Sequence, residues 1–216
     1  MEKQSKGLYS EKVYWTIIER IQAGQLQVGA ALREEQIAKE LDISRSPVRT
    51  AVAQLVAEEI LVATDRGVAV GDILVTPARY KMLTEVAEAF LAIVIQKAPA
   101  ENYNWSFLTL HSMVFQMRLL AADEDEAEFI HVLHLFLLEL LRVSENNYFT
   151  AYSRRNFFLI EKFGGHLPTF NMTDTRLWVV HQLDGLLKQL SSDQTEAAVQ
   201  TLRNLFRELQ VQAYRI

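Results

Sequence analysis

Residues 44–49 read Ser44-Arg45-Ser46-Pro47-Val48-Arg49, and this stretch decides how the first third of the chain is read. Serine is favoured just before a helix, and Pro47 falls in the first turn, where a missing N–H costs no hydrogen bond. Val48, Val52 and Leu55 then recur at the spacing of one helical face, so a helix starts here and buries that stripe. Arg45 and Arg49 are four residues apart and share a face. A guanidinium fork matches guanine O6 and N7, while serine hydroxyls and the free N–H groups of a helix start match phosphate oxygens. The plain alternative is a solvated pair of arginines, and the surrounding sequence weighs against it.

Upstream, Arg33 to Leu41 reads as a short helix with Ile37, Ala38 and Leu41 inward, and Asp42-Ile43 makes the turn into the next helix. Further upstream, Tyr9 to Gln22 carries Val13, Ile17 and Ile21 at helical spacing, widened by Tyr14 and Ile18 and followed by Gly24. Downstream, Ile60 to Thr64 and Val68 to Val70 are β-rich runs separated by Asp65-Arg66-Gly67, a hairpin signal. Helix, tight turn, helix and hairpin, in that order, predict a winged helix-turn-helix. At the hairpin tip Gly67 lets backbone approach a duplex closely, and Arg66 suits the negative potential of a minor groove.

These residues resemble the GntR family of bacterial repressors. The resemblance runs from Tyr9 to Val70 through Val28-Gly29, Leu32-Arg33-Glu34-Glu35, Ile37-Ala38, Leu41, the Ser44 to Arg49 segment, Leu55 and Arg66-Gly67-Val68. It implies that Arg33, Ser44, Arg45, Ser46, Arg49 and Gly67 contact double-stranded operator DNA, with Arg66 beside them. Two positions depart from the family pattern: Val28 stands where proline is usual, and Glu59 where glycine is usual.

Gly71 to Pro77 closes the hairpin and marks the domain boundary, giving a DNA-binding domain at 1–73 and an effector-binding and dimerisation domain at 74–216. The remainder predicts helices at 78–97, 103–121, 124–144, 147–163, 174–190 and 194–213, an all-α antiparallel bundle, with breaks at Pro99 and Gly164-Gly165. The fold class is therefore mainly α. A chain of 216 residues, half of them apolar, can bury two modest cores. There is no cysteine, which removes disulfides and thiolate metal sites. Apolar runs such as Phe90 to Ile95 fall far short of the roughly 20 residues of a membrane span, and no secretory leader pattern opens the chain, so a soluble cytoplasmic protein is expected. The net charge of −5 makes the placement of the arginines, rather than their number, the relevant fact.

The distal helices are similar to the effector domain of the FadR subgroup, through Phe136 to Asn146 and through Ser192-Asp193 with Ala197-Ala198. Many members hold a metal with one aspartate and three histidines. Counting from Asn146 places the aspartate and the first histidine on Leu133 and Leu137; counting from Asp193 places the others on Gln182 and Asn204. None is a good ligand, and no cofactor is expected, although His131, His134 and His181 lie close by in a shifted frame. An effector pocket is expected around Leu133, His134, Leu137, Asn146, His181, Gln182 and Asn204. Leucines at ligand positions would suit an acyl or aromatic effector, unless they simply fill the core. The aromatic run Tyr148, Phe149, Tyr152, Phe157, Phe158 reads as packing or dimer contact rather than a stacking box.

Catalysis has no support in the motifs: the chain lacks a Gly-rich phosphate loop, a Gly-X-Ser-X-Gly elbow and a His-Glu-X-X-His pair. The function implied is a sequence-specific DNA-binding regulator, homodimeric by the symmetry such operators require and answering a small molecule. The competing reading is a DNA-binding module whose helices serve only assembly or a protein partner.

Overall fold

The computed structural model describes residues 2–65, 67–122, 125–164, 167 and 173–214. The chain divides into two compact units, Met1–Leu74 and Val75–Ile216.

In the first unit, α1 (Glu2–Gln22), α2 (Glu34–Glu40) and α3 (Arg45–Ala57) precede β2 (Leu61–Thr64) and β3 (Gly67–Val70), and a two-residue β1 (Ala31–Leu32) lies before α2. Both α1 and α2 pack on α3. Val13, Ile17 and Ile18 meet Val48, Val52 and Leu55 in the core, as the spacing predicts. Polar ties fix the helix positions: the Tyr14 hydroxyl donates to Glu58 Oε2 at 2.6 Å, and Arg20 pairs with Glu40 at 2.8 Å. The hairpin is one strand larger than the sequence suggests. β3 sits between β2 and β1, antiparallel to both, with Thr64 opposite Gly67 and Leu32 opposite Val68. Two residues are too few to show the alternation that marks a strand, so β1 had no sequence signal. The first helix also begins seven residues before the start at Tyr9 that the sequence suggests, at Glu2.

The two departures from the family pattern fall at backbone turns. Ala30 N–H donates to the Gln27 carbonyl at 2.9 Å across Val28-Gly29, and Gly29 has φ 82°. This is the arrangement in which proline is favoured at the second position, where Val28 stands. Glu59 follows α3 with φ 55°, the left-handed conformation that usually falls to glycine after a helix. Glu59→Gly is therefore expected to stabilise the first unit by about 1 kcal/mol, read as a raised thermal midpoint.

The second unit is a helical bundle: α4 (Pro77–Glu101), α5 (Phe107–Leu120), α6 (Glu126–Arg142), α7 (Asn147–Phe163), α8 (Thr173–Ser191) and α9 (Thr195–Gln212). α4 packs on α9, α6 and α7; α8 packs on α9 and α5; α6 lies between α5 and α7. Phe129, Phe136, Leu110, Leu91 and Phe206 are fully buried at its centre. Pro99 does not break α4, contrary to the sequence expectation. It lies in the last turn, where a proline disturbs one hydrogen bond only, and the helix ends three residues later at Asn102 in the left-handed conformation (φ 52°). Gly164, the first of the pair expected to break the chain, is the C-cap of α7; Gly165 lies outside the described residues.

Candidate nucleic-acid interface

The exposed face of α3 begins with Ser44, Arg45, Ser46, Arg49 and Thr50, while Pro47, Val48, Ala51 and Val52 turn inward. Ser44 is the N-cap residue, extended at φ −68° and ψ 159°, but its hydroxyl makes no capping hydrogen bond. Part of the cause is local. A capping side chain bonds the N–H of the second or third helical residue, and one of those two targets is missing because the third is Pro47, which has no N–H; that of Ser46 remains. The Ser44 hydroxyl and the first N–H groups of α3 thus face outward with bonding capacity to spare, as phosphate recognition requires.

The two arginines differ in a way the sequence does not show. Arg45 is held by Glu35 of α2, an exposed ion pair. Arg49 has no hydrogen-bond or ion partner among the described residues. An exposed pair of this kind is worth about 0–1 kcal/mol, so it restrains Arg45 without locking it. Arg33 is the exposed N-cap residue of α2; its carbonyl accepts from Gln36 and Ile37, and its side chain makes no capping bond. Gly67 begins β3 with φ 127°, a region that side chains disfavour. Among the described residues nothing beyond its chain neighbours lies within 4 Å of where a Cβ would sit, so Gly67→Ala should cost about 1–3 kcal/mol from backbone strain. A lowered thermal midpoint would record it. Arg66 lies outside the described residues.

An exposed, arginine-bearing second helix of a helix-turn-helix, followed by a small antiparallel sheet, defines the winged helix-turn-helix class of DNA-binding domain. Residues 9–70 match the model of the bacterial regulatory proteins of the gntR family, which makes this stretch a GntR-type DNA-binding domain. Among solved structures, the chain is similar over 96% of its length to 97% of Lar, which controls the expression of the Listeria monocytogenes agr system and mediates virulence, with 29% identity and a TM-score of 0.82. It shares its fold with E. coli McbR/YncC (18% identity, TM-score 0.68, 96% of this chain and 99% of that one). The same holds for a GntR regulator from Rhodococcus sp. RHA1 (20% identity, TM-score 0.66, 95% and 99%). No curated protein sequence matches the chain.

The residues expected to form an effector pocket are dispersed. Leu133 and Leu137 are each 1% exposed and belong to the bundle core, and His134 is buried beside them on α6. Asn146 caps α7, its side-chain oxygen accepting from the N–H groups of Tyr148 and Phe149 at 3.1 and 3.2 Å. His181 is exposed, Gln182 is half-buried, and Asn204 is exposed and accepts from Gln200 at 3.0 Å. A cleft of about 180 Å³ opens elsewhere, between Ile95, Pro99, Trp105, Leu190 and Gln194, and none of the expected residues lines it. The family's metal does not fit these side chains: leucine occupies two ligand positions, and among the described residues no group of three His, Cys, Asp or Glu could hold an ion.

What His134 does have is a carboxylate. Glu161 of α7 receives His134 Nδ1 at 2.7 Å and His131 Nδ1 at 3.1 Å, and the His134 ring stacks on Phe157 with centroids 4.3 Å apart. Burial lowers the His134 pKa and outweighs the opposing pull of Glu161, so the ring is neutral at neutral pH and donates its Nδ1–H to the carboxylate. Burial alone would raise Glu161, but the bonds and charges of the two histidines together bring it below its ordinary value. Both folded values lie below the unfolded ones, so the unfolded chain binds more protons as pH falls and stability falls with it. The second unit is expected to lose stability as pH drops below 6.5, the ordinary histidine value, and again below 4.5. Thermal unfolding at pH 7.5 and 5.5 checks this: His134→Gln should flatten the first decline.

Proposed function

We propose that this regulator acts as a homodimer that places two copies of α3 in successive major grooves of a short pseudo-palindromic operator, and that a small molecule bound in the helical unit changes its grip on DNA. The observation that carries the first part is the exposed start of α3, with Arg49 unpaired among the described residues and the Ser44 hydroxyl making no capping bond. Arg45 and Arg49 read bases; Ser44, Ser46 and Arg33 hold phosphates; Gly67 brings the wing close to the duplex, with Arg66 beside it. Two-fold operators match two-fold proteins, which supports the dimer. Likeness to Lar over nearly the whole chain supports a role in controlling gene expression.

A ligand shifts an equilibrium only through different affinities for its two states, so effector and operator would bind with reciprocal coupling. Sedimentation of the purified chain, alone and with a palindromic site or an isolated half-site, tests the assembly. Two chains per palindrome, with much weaker binding to the half-site, is the expected result. One chain per site with equal affinity for both would contradict it.

A further inference from the structure

We infer that the inner face of α7 is a binding site for a small neutral group that presents a hydrogen-bond donor and acceptor side by side, as the edge of a carboxamide or lactam does. This rests on the reading of the helical unit as the effector-sensing part of the regulator.

Ser153 and Asn156 are both 0% exposed, and they lie on the stripe of α7 that also buries Phe157, Ile160 and Phe163. α7 packs on α6 and α4, so both polar side chains point into the core of the unit. Three of their atoms, Ser153 Oγ, Asn156 Nδ2 and Asn156 Oδ1, have no partner among the described residues. Buried polar groups are nearly always hydrogen-bonded, and leaving one unpaired is costly. A core serine on a helix has an easy remedy, which is to donate back to a carbonyl of its own helix. Thr84, a buried hydroxyl on α4, takes it, bonding the Tyr80 carbonyl at 2.8 Å. Ser153 does not, and its hydroxyl remains available beside the Asn156 amide one turn further on.

The set therefore offers one amide donor, one amide acceptor and a hydroxyl that can be either. It matches a group with both capacities on one edge. It matches a carboxylate less well, because burying that charge would require a cation, and of the two neighbouring cations on α7 Arg154 lies exposed while Arg155 is half-buried and already engaged. The site uses none of the residues that the family's metal pattern would place in the core.

The test is a titration of the full ¹⁵N-labelled chain with 2-pyrrolidinone, whose edge carries both donor and acceptor. N-methylpyrrolidinone, which has only the acceptor, and acetate, which is charged, serve as the comparison arms. The readouts are the side-chain NH₂ resonances of Asn156 and the thermal midpoint. A saturable shift and a raised midpoint with 2-pyrrolidinone, at least about tenfold weaker with the other two, are expected. Asn156→Leu has nearly the same shape and removes two unpaired atoms, so it should melt no lower than the wild type yet lose the response; Ser153→Ala should weaken the response.

The absence of a saturable shift, an equal response to N-methylpyrrolidinone, or a response retained in Asn156→Leu would overturn the site. So would an Asn156→Leu chain that melts well below a wild type showing no response, since structural water would then satisfy these atoms. Saturable binding that leaves operator affinity unchanged would keep the site and overturn the effector reading on which it rests.

Discussion

Replacing Arg49 by alanine is expected to weaken binding to the preferred operator by about 1–3 kcal/mol while leaving the thermal midpoint unchanged. The side chain is exposed on α3, buries nothing and has no partner among the described residues, so its loss costs the free protein nothing. On DNA, a bidentate contact to a guanine would disappear, and preference at that base pair should relax with it. Arg45→Ala should show a smaller net loss, because in the free protein Arg45 already spends its guanidinium on Glu35 and must surrender that pair to reach a base. Fluorescence anisotropy on matched and mismatched duplexes at one fixed salt concentration measures both. Equal losses on every sequence would make Arg49 a phosphate contact rather than a reader of bases.

Leu55→Ala should act by the opposite route. Leu55 is 0% exposed, on the face of α3 that packs against α1, and its truncation leaves a cavity costing about 2–5 kcal/mol. That is a large fraction of the stability available to a small domain. Operator binding should be lost through unfolding of the first unit, while the helical signal of the second unit melts near its original temperature. Circular dichroism melts of wild type and variant distinguish this from a change in recognition. A variant that melts like wild type but no longer binds DNA would mean that Leu55 does not hold α3 against α1. The two substitutions lie on one helix, less than two turns apart, and separate reading DNA from holding the reader in place.

The first unit was readable from sequence because three different periodicities agreed. Val48, Val52 and Leu55 gave a helical stripe, Ile60 to Thr64 and Val68 to Val70 gave strands, and Asp65-Arg66-Gly67 gave a turn. What remained hidden there had physical reasons. β1 is two residues long and exists only through its pairing with β3, and Glu35 is an ordinary surface carboxylate until α2 is set beside Arg45. Glu59 was visible as a departure from the family pattern, and its positive φ explains why glycine is usual there.

In the second unit the helix pattern gave the elements but not their inner polar chemistry. Projecting a metal site by counting from Asn146 and Asp193 treats helices as rulers, but the contents of a core depend on how each helix is rotated against its neighbours. Asn204 thus came out on the surface and Gln182 half-buried, while Leu133 and Leu137 fill the core. Ser153 and Asn156 did leave a trace, as two polar residues interrupting an apolar stripe between Phe149 and Ile160. Glu161, which joins His131 and His134, left none, since only the packing of α7 on α6 brings it there.

Whether the start of α3 reads DNA sequence is decided by selection of bound duplexes from a random library by the full chain and by its Arg49→Ala variant, at a salt concentration that suppresses nonspecific binding. A short palindrome is expected for the wild type, with information lost at the same base pair of each half-site for the variant. The same palindrome at the same affinity for both proteins, or no enriched sequence for either, would contradict sequence reading by α3.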